Sequence, residues 1–106
     1  MGIRVENIKN FDNLHVSIKT LLTLFSVADS EGKIECTAQA LAKYLKSTRQ
    51  TISTYIKDYV NSDIMKYKYS GSARLNPIFY YNGKPEDFAR VCMEYENFKS
   101  DIKPGE

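Results

Sequence analysis

The sequence has very few residues that commonly bind metals or act as acid–base catalysts. Its only histidine is His15, and its two cysteines, Cys36 and Cys92, lack the spacing of metal ligands. We therefore expect no metal site and no cofactor, and we interpret both cysteines as buried free thiols in the reducing cytoplasm. Phosphate-binding glycine loops, paired carboxylates at catalytic spacing and nucleophile motifs are also missing. No catalytic residue is therefore expected, and an enzyme is not predicted.

Long apolar runs are missing as well. The longest stretch, residues 21–28, is interrupted by Thr23 and Ser26. It is much shorter than the roughly 20 apolar residues that a membrane-spanning helix needs. No secretory signal is recognisable, so we expect a cytoplasmic protein without a membrane partner. The 106 residues predict one domain over residues 13–102, preceded by an arm (1–12) and followed by a disordered tail (103–106).

Positive charge is concentrated in the middle of the chain. The formal net charge is only +2, but residues 43–74 contain seven basic and two acidic side chains. Residues 1–42 contain four basic and five acidic side chains, and residues 75–106 contain four and six. A basic segment of this kind is typical of a protein with a polyanionic partner, although an ordinary solvated surface would also explain it.

The same segment contains the most informative pattern of the sequence, residues 37–60. Thr37 suits the N-cap of a helix over residues 38–45, and Ser47 suits the N-cap of a second helix over residues 48–61. Both helices are amphipathic and a tight turn joins them. This pattern predicts a helix-turn-helix, in which the second helix enters the major groove of DNA.

The second helix has one apolar face and one polar, basic face. Ile52 and Ile56 mark the face that packs into the core. On the opposite face, arginine and glutamine suit the edges of guanine and adenine, and hydroxyl groups suit bases or phosphates. A face that is merely solvated would have the same composition. The predicted base-reading residues are Arg49, Gln50, Ser53 and Thr54, and further contacts with double-stranded DNA are predicted for Ser47, Thr48, Thr51 and Lys57.

A first helix and a short strand are predicted before this pair. Asn13 suits the N-cap of a helix that extends to about Ala28. Its apolar residues follow helical spacing at Leu14, Ile18, Leu21, Leu22 and Phe25. Residues 33–36 then predict one short edge strand.

A β-hairpin and a last helix are predicted after the pair. Residues 64–69 alternate apolar and basic side chains, and residues 73–81 form a second strand in which Pro77 indicates an edge or a strand end. Pro85 opens the last helix. Such a hairpin is a wing, and its basic residues are predicted to contact the flanking DNA backbone or minor groove rather than only to solubilise an edge strand. These residues are Lys66, Lys68 and Arg74.

The order of elements predicts a mainly α fold with a small β wing (α+β), a winged helix-turn-helix. The sequence resembles that superfamily of bacterial DNA-binding proteins. Residues 74–77, Phe79, the turn at residues 82–83 and a helix ending at residues 94–96 resemble the RepL-type plasmid replication proteins of Firmicutes. The small size is also similar to the centromere-binding adaptor of tubulin-like plasmid segregation systems. Lys46 departs from the pattern, because many helix-turn-helix units have glycine there. The resemblance implies a role in plasmid replication, partition or repression.

The last helix has more apolar residues than one small core needs. We therefore predict a homodimer, which would place two recognition helices about one DNA turn, roughly 34 Å, apart. The predicted interface residues are Phe88, Val91, Tyr95 and Phe98, with Ile3, Val5 and Ile8 of the arm. Packing within the chain is the alternative. A replication or segregation protein is expected as a further partner. The alternative function is a winged-helix protein-interaction module that does not bind DNA directly.

Overall fold

The computed structural model describes the backbone of residues 11–102 and the side chains of residues 17–102, and it contains four α-helices and a three-stranded antiparallel sheet. The elements are α1 (Phe11–Val27), β1 (Lys33–Glu35), α2 (Ala38–Tyr44), α3 (Arg49–Asn61), β2 (Met65–Tyr67), β3 (Ser72–Leu75) and α4 (Phe88–Asn97). A 3-10 turn at Pro85–Asp87 precedes α4, so the last α-helix begins three residues later than predicted. The α+β class is confirmed.

Some predictions at the ends of the chain lie outside the described residues. These are the arm residues Ile3, Val5 and Ile8, the tail 103–106, and the side chains of Leu14 and His15. The first helix begins at Phe11, two residues before Asn13. The prediction that Asn13 is its N-cap was therefore wrong, and the last two residues of the predicted arm belong to α1.

The core lies between the helices and one face of the sheet. β3 is the central strand and pairs antiparallel with β1 and β2. Because side chains alternate along a strand, each strand contributes residues to the core from the same face. The largest fully buried side chains include Leu24, Ile34, Leu41, Ile52, Ile56, Met65 and Leu75. The predicted burial of Ile52 and Ile56 is confirmed, since they are 0% and 1% exposed.

α1 buries a different stripe from the predicted one. Thr20 and Leu24 are buried, whereas Ile18 and Leu22 are 50% and 58% exposed. The prediction was therefore wrong for Ile18 and Leu22. Apolar residues cover more of the circumference of α1 than the core can contact, so their spacing alone did not show which part would be covered.

N-caps start both helices of the central pair. Thr37 Oγ1 accepts the N–H of Ala40 at 3.1 Å, as predicted for α2. At the start of α3, Thr48 Oγ1 accepts the N–H of Thr51 at 3.1 Å. The N-cap of α3 is therefore Thr48 and not Ser47, and the helix begins at Arg49.

Lys46 shapes the turn between these helices. Its φ of 55° lies in the left-handed region, as does the φ of 56° at Asp63 after α3. The N–H of Ser47 donates back to the carbonyl of Ala42 at 2.9 Å, which closes the turn in the way usual for a left-handed residue after a helix. A residue other than glycine costs roughly 1–2 kcal/mol in this conformation.

β3 ends earlier than predicted and is not an edge strand. The strand stops at Leu75, so the predicted continuation to Tyr81 was wrong. Asn76 and the buried Pro77 begin a turn instead, in which the Asn76 side-chain amide donates to the carbonyl of Asp63 at 2.8 Å. Since proline has no N–H to donate, the central strand ends before Pro77.

The segment that follows α4 covers the outer edge of β2. Ser100 Oγ accepts the N–H of Tyr67 at 3.0 Å, and the Asp101 N–H donates to the Tyr67 carbonyl at 2.8 Å. The Asp101 carboxylate accepts the N–H of Tyr69 at 2.8 Å. Ile102 then inserts into the core and is only 3% exposed. Both backbone groups of Tyr67 and the N–H of Tyr69 are therefore satisfied within the chain.

Candidate nucleic-acid interface

The predicted polar face of α3 is available at the surface. Arg49, Gln50, Thr54 and Lys57 are exposed, and Ser53 is half-buried. All five lie away from the apolar stripe that packs into the core. The α3 helix therefore presents a row of donors and acceptors to solvent, as predicted.

Hydrogen bonds along the chain occupy several hydroxyl groups of α3. The N-cap hydroxyl of Thr48 lies 2.8 Å from the hydroxyl of Thr51, to which it donates. The Thr54 hydroxyl donates to the carbonyl of Gln50 at 3.0 Å. These hydroxyl hydrogens are used, but the oxygen of Thr54 keeps a lone pair for an external donor. Ser47 is half-buried in the turn.

A cleft of about 200 Å³ separates α3 from the β2–β3 hairpin. Arg49, Ser53 and Lys57, spaced one turn apart, line it from α3, and Tyr67 and Tyr69 line it from the hairpin. The other lining residues are Thr37, Ala38, Gln39, Ile56 and Ile102. Among the described residues, no acidic side chain lines this cleft.

The hydroxyl group of Tyr67 is held at the start of α2. It accepts the N–H of Ala38 at 3.1 Å, and the Tyr67 side chain is buried. Burial raises the pKa of Tyr67, while the N–H of Ala38 and the charge of Arg49 act in the opposite direction. The phenol is therefore protonated at neutral pH, and its hydrogen remains to be donated.

The polar face of α3 divides into two rows. The cleft row consists of Arg49, Ser53 and Lys57, which line the cleft. The outer row consists of Gln50 and Thr54, which are exposed and do not line it. Residues four apart lie one above the other on a helix, so each row follows the helix axis.

Lys66 does not lie on the α3 side of the sheet. Side chains alternate along β2, and the neighbouring Met65 and Tyr67 point into the core. The Lys66 ammonium group donates to the carbonyls of Tyr95 and Glu96, at 2.8 and 3.1 Å. The prediction that Lys66 contacts DNA is corrected: this side chain binds the carboxyl end of α4.

Lys68 and Arg74 lie on the same outer face of the sheet. The Lys68 ammonium and the Arg74 guanidinium are each 4.9 Å from the centre of the Phe98 ring. Cations at this distance are attracted to the ring face. The structure therefore does not bring Lys68 and Arg74 to the polar face of α3, and Phe98, predicted to contact a second copy, packs within its own chain.

The apolar stripe of α4 is also largely buried within the chain. Val91 and Tyr95 are 4% and 6% exposed. The Tyr95 hydroxyl donates to the carboxylate of Asp63 at 2.7 Å. Phe88 remains partly exposed and makes an edge-on contact with Tyr81. The prediction that Val91 and Tyr95 lie at a dimer interface is thus corrected, because both are buried within the chain, whereas for Phe88 it stays a prediction.

An ion-pair cluster joins α4 to the turn before β1. Arg90 contacts Glu31 at 2.6 Å and Glu94 at 2.9 Å, and Lys33 contacts Glu31 at 3.6 Å. The hydrogen bond from Arg90 holds the pKa of Glu31 below its usual range. This cluster positions α4 and lies apart from the cleft.

Tyr67, Tyr69 and Gln39 were not predicted to take part in the site. Tyr67 and Tyr69 alternate with lysines along the sequence. This alternation predicts a strand, but it does not show which helix packs beside that strand. Gln39 has no distinguishing local signal. Its position in the cleft follows from the hydrogen bond between the Cys36 N–H and the Gly71 carbonyl, at 2.9 Å, which joins the hairpin turn to the start of α2.

Comparison with protein-family models, with curated proteins and with solved structures found no match for this chain. Within the described range, no cluster of histidine, cysteine, aspartate and glutamate could hold a metal ion. No helix between residues 11 and 102 is long and apolar enough to cross a membrane. Cys36 and Cys92 are free thiols, but both are half-buried, so the prediction that they are buried was wrong. Partial burial raises the pKa of the Cys36 thiol.

Proposed function

We propose that this chain is a winged helix-turn-helix protein that binds double-stranded DNA in a sequence-specific manner. The observation that carries the proposal is the exposed polar face of α3, on which Arg49 and Lys57 line the cleft and Gln50 and Thr54 lie outside it. An α-helix fits the major groove, where glutamine pairs with adenine. The adjacent cations offset the charge of the phosphates.

The order of the elements supports the same proposal. A short strand follows the first helix, then come the α2–α3 pair and a tight hairpin, and the strand β1 pairs with the second strand of that hairpin. This is the arrangement expected for a winged helix, with α3 as the recognition helix. The role that fits best is replication, partition or repression in a plasmid, phage or similar bacterial element.

A homodimer is part of the proposal, because two copies would read a palindromic site. The residues through which they would meet differ from those predicted on α4. In this proposal, the two copies meet through exposed apolar residues of α1, Ile18 and Leu22. Sedimentation equilibrium of the free chain and of its DNA complex measures the stoichiometry directly.

Selection from a pool of random duplexes tests the proposal without knowledge of the target. Wild-type protein should enrich a common motif, and fluorescence polarisation should give tighter binding to that motif than to scrambled duplex. The variant Gln50→Ala should lose part of this preference, whereas the control variant Asn97→Ala, at an exposed amide of α4 that does not line the cleft, should keep it. Failure of the wild type to enrich any motif rejects sequence-specific binding.

A second function, a protein-interaction module, is favoured by one observation. Ile78 and Phe79 are 78% and 55% exposed, beside Tyr80, whose ring stacks on Phe25 of α1 at 5.4 Å. Exposed apolar side chains of this kind are typical of protein contacts. The paired variant Ile78→Ser/Phe79→Ser separates the two functions, because DNA binding should survive it and binding to a protein partner should not.

A further inference from the structure

The cleft beside α3 offers donors from two separate elements of the fold, α3 and β2. Arg49 and Lys57 contribute positive charge, and Ser53 contributes a hydroxyl between them. The buried Tyr67 hydroxyl has accepted the Ala38 N–H and keeps its own hydrogen. A site with cations, hydroxyl donors and no acidic lining residue suits a phosphate group.

The volume of the cleft decides what kind of phosphate fits. Sites for complete small molecules usually measure about 300–1,000 Å³. A cleft of about 200 Å³ is smaller than this range, and two exposed residues of the polar face of α3, Arg49 and Lys57, line it. It can hold a phosphate with part of a sugar but not a whole nucleotide with its base. A phosphate within a polymer meets this restriction.

We infer that the cleft holds a phosphate of the DNA backbone, bound by Arg49, Ser53 and Lys57 against the hairpin. The inference rests on the proposed function, and it assigns different roles to the two rows of residues on α3. The cleft row positions the protein on the duplex, and the outer row, Gln50 and Thr54, reads the bases. Arg49 and Ser53 therefore bind the backbone rather than base edges.

This arrangement has a consequence that affinity alone does not reveal. A contact with a phosphate carries no sequence information, so its loss weakens binding to all sequences equally and reduces the salt dependence. A contact with a base edge changes the preference among sequences and leaves the salt dependence nearly unchanged. Substitution of Arg49 is the most informative test of whether the cleft row binds phosphates or base edges, because arginine is also the residue that most often contacts guanine.

The test uses the full chain, the selected duplex and a scrambled duplex. Arg49→Ala and Lys57→Ala should each weaken binding to both duplexes by about tenfold. Each should reduce the slope of log affinity against log salt by about 0.9. Lys43→Ala is the matched control, because Lys43 is an exposed cation of the same basic segment that does not line the cleft. Thermal unfolding checks that each variant is folded.

A second measurement locates the phosphate. Single methylphosphonate substitutions along the selected duplex should reveal one position at which neutralisation weakens the wild type about tenfold and leaves Lys57→Ala unaffected. Titration of the free protein with inorganic phosphate, followed by amide NMR, should show binding weaker than millimolar at Ser53 and Tyr69. Submillimolar phosphate binding at these residues that leaves DNA binding unchanged would overturn the inference, since the cleft would then serve a free anion and not the duplex.

The possible failures are distinguishable. If the wild type binds no duplex, the proposed function is wrong and the inference falls with it. If the wild type binds its selected motif but Arg49→Ala changes the preferred bases, the inference alone is wrong. The same holds if no methylphosphonate position loses its effect in Lys57→Ala.

Discussion

The ammonium group of Lys66 lies 2.8 Å from the carbonyl oxygen of Tyr95, in the last turn of α4. It also lies 4.7 Å from the centre of the Tyr95 ring. α4 has no basic residue in its own last turn. A lysine from β2 therefore supplies the positive charge that a helix carboxyl end favours, and it connects the last helix to the sheet.

Replacement of Lys66 by methionine removes this charge and keeps most of the apolar stem. We expect the free energy of unfolding to fall by about 1–2 kcal/mol, because the hydrogen bonds from a charged donor are lost. Urea titration measures the change. The exposed Lys43→Met serves as the control and should change stability little. An unchanged midpoint for Lys66→Met would show that the contact contributes nothing.

Lys46→Gly should stabilise the fold. Lys46 has a φ of 55°, a conformation that costs most residues roughly 1 kcal/mol or more and costs glycine almost nothing. Glycine loses more conformational entropy on folding, which offsets part of this relief. We therefore expect the unfolding free energy to rise by about 0.5–1 kcal/mol, as measured by urea titration. Lys43→Gly, inside α2, should do the reverse by up to about 1 kcal/mol.

Asp63→Gly should not give the same gain, although Asp63 has a φ of 56°. The Asp63 carboxylate accepts the hydroxyl of Tyr95 at 2.7 Å, and this bond joins the end of α3 to α4. Its loss costs about 1 kcal/mol, which offsets the relief of backbone strain. A stabilisation of Asp63→Gly equal to that of Lys46→Gly would contradict this account.

The ion pair between Glu31 and Arg90 should make stability depend on pH on the acidic side. The folded-state pKa of Glu31 lies below its ordinary value of 4.5. Its contribution is therefore present above that value and is lost as the pH falls through the folded-state pKa. Glu31→Gln should be less stable than the wild type at neutral pH, and the two should converge in acid. Because the pair is exposed, high salt should reduce the difference.

Gly71→Ala should disturb the junction between the hairpin and α2. Gly71 has a φ of 101°, and an added Cβ would lie 3.0 Å from the Thr37 backbone nitrogen. We expect unfolding free energy to fall by about 1–3 kcal/mol, measured by thermal and urea unfolding. The neighbouring Ser70→Ala should be nearly neutral. If the cleft depends on this junction, Gly71→Ala should also weaken DNA binding more than Ser70→Ala does.

The central helices could be predicted because their signals are local. Thr37 begins α2 by accepting an N–H three residues later, and the spacing of Ile52 and Ile56 identifies the buried face of α3. Ser47 and Thr48 are adjacent and both suit an N-cap. The choice between them depended on the left-handed turn at Lys46, which no local preference favours.

The docking of α4 could not be predicted in the same way. An apolar stripe containing Val91 and Tyr95 looks the same in sequence whether it covers its own sheet or a second copy. Lys66 likewise alternates with apolar residues whether it faces solvent or a helix end. Both outcomes depend on contacts between residues some thirty positions apart, and periodicity does not contain that information.

One wall of the cleft could be predicted from the sequence and the other could not. The polar row on α3 followed from helical spacing, whereas the opposite wall required the pairing of β2 with β3 and the contact of Gly71 with Cys36. The division of α3 into two rows therefore emerged only from the tertiary structure.

Ile102 lines the cleft as well as the core, so its position matters for any engineered form of this protein. Truncation before this residue would remove a buried apolar side chain from the core, and truncation before Ser100 would also uncover the β2 edge. A label for binding assays should therefore be attached in a way that leaves Ile102 buried between the core and the cleft.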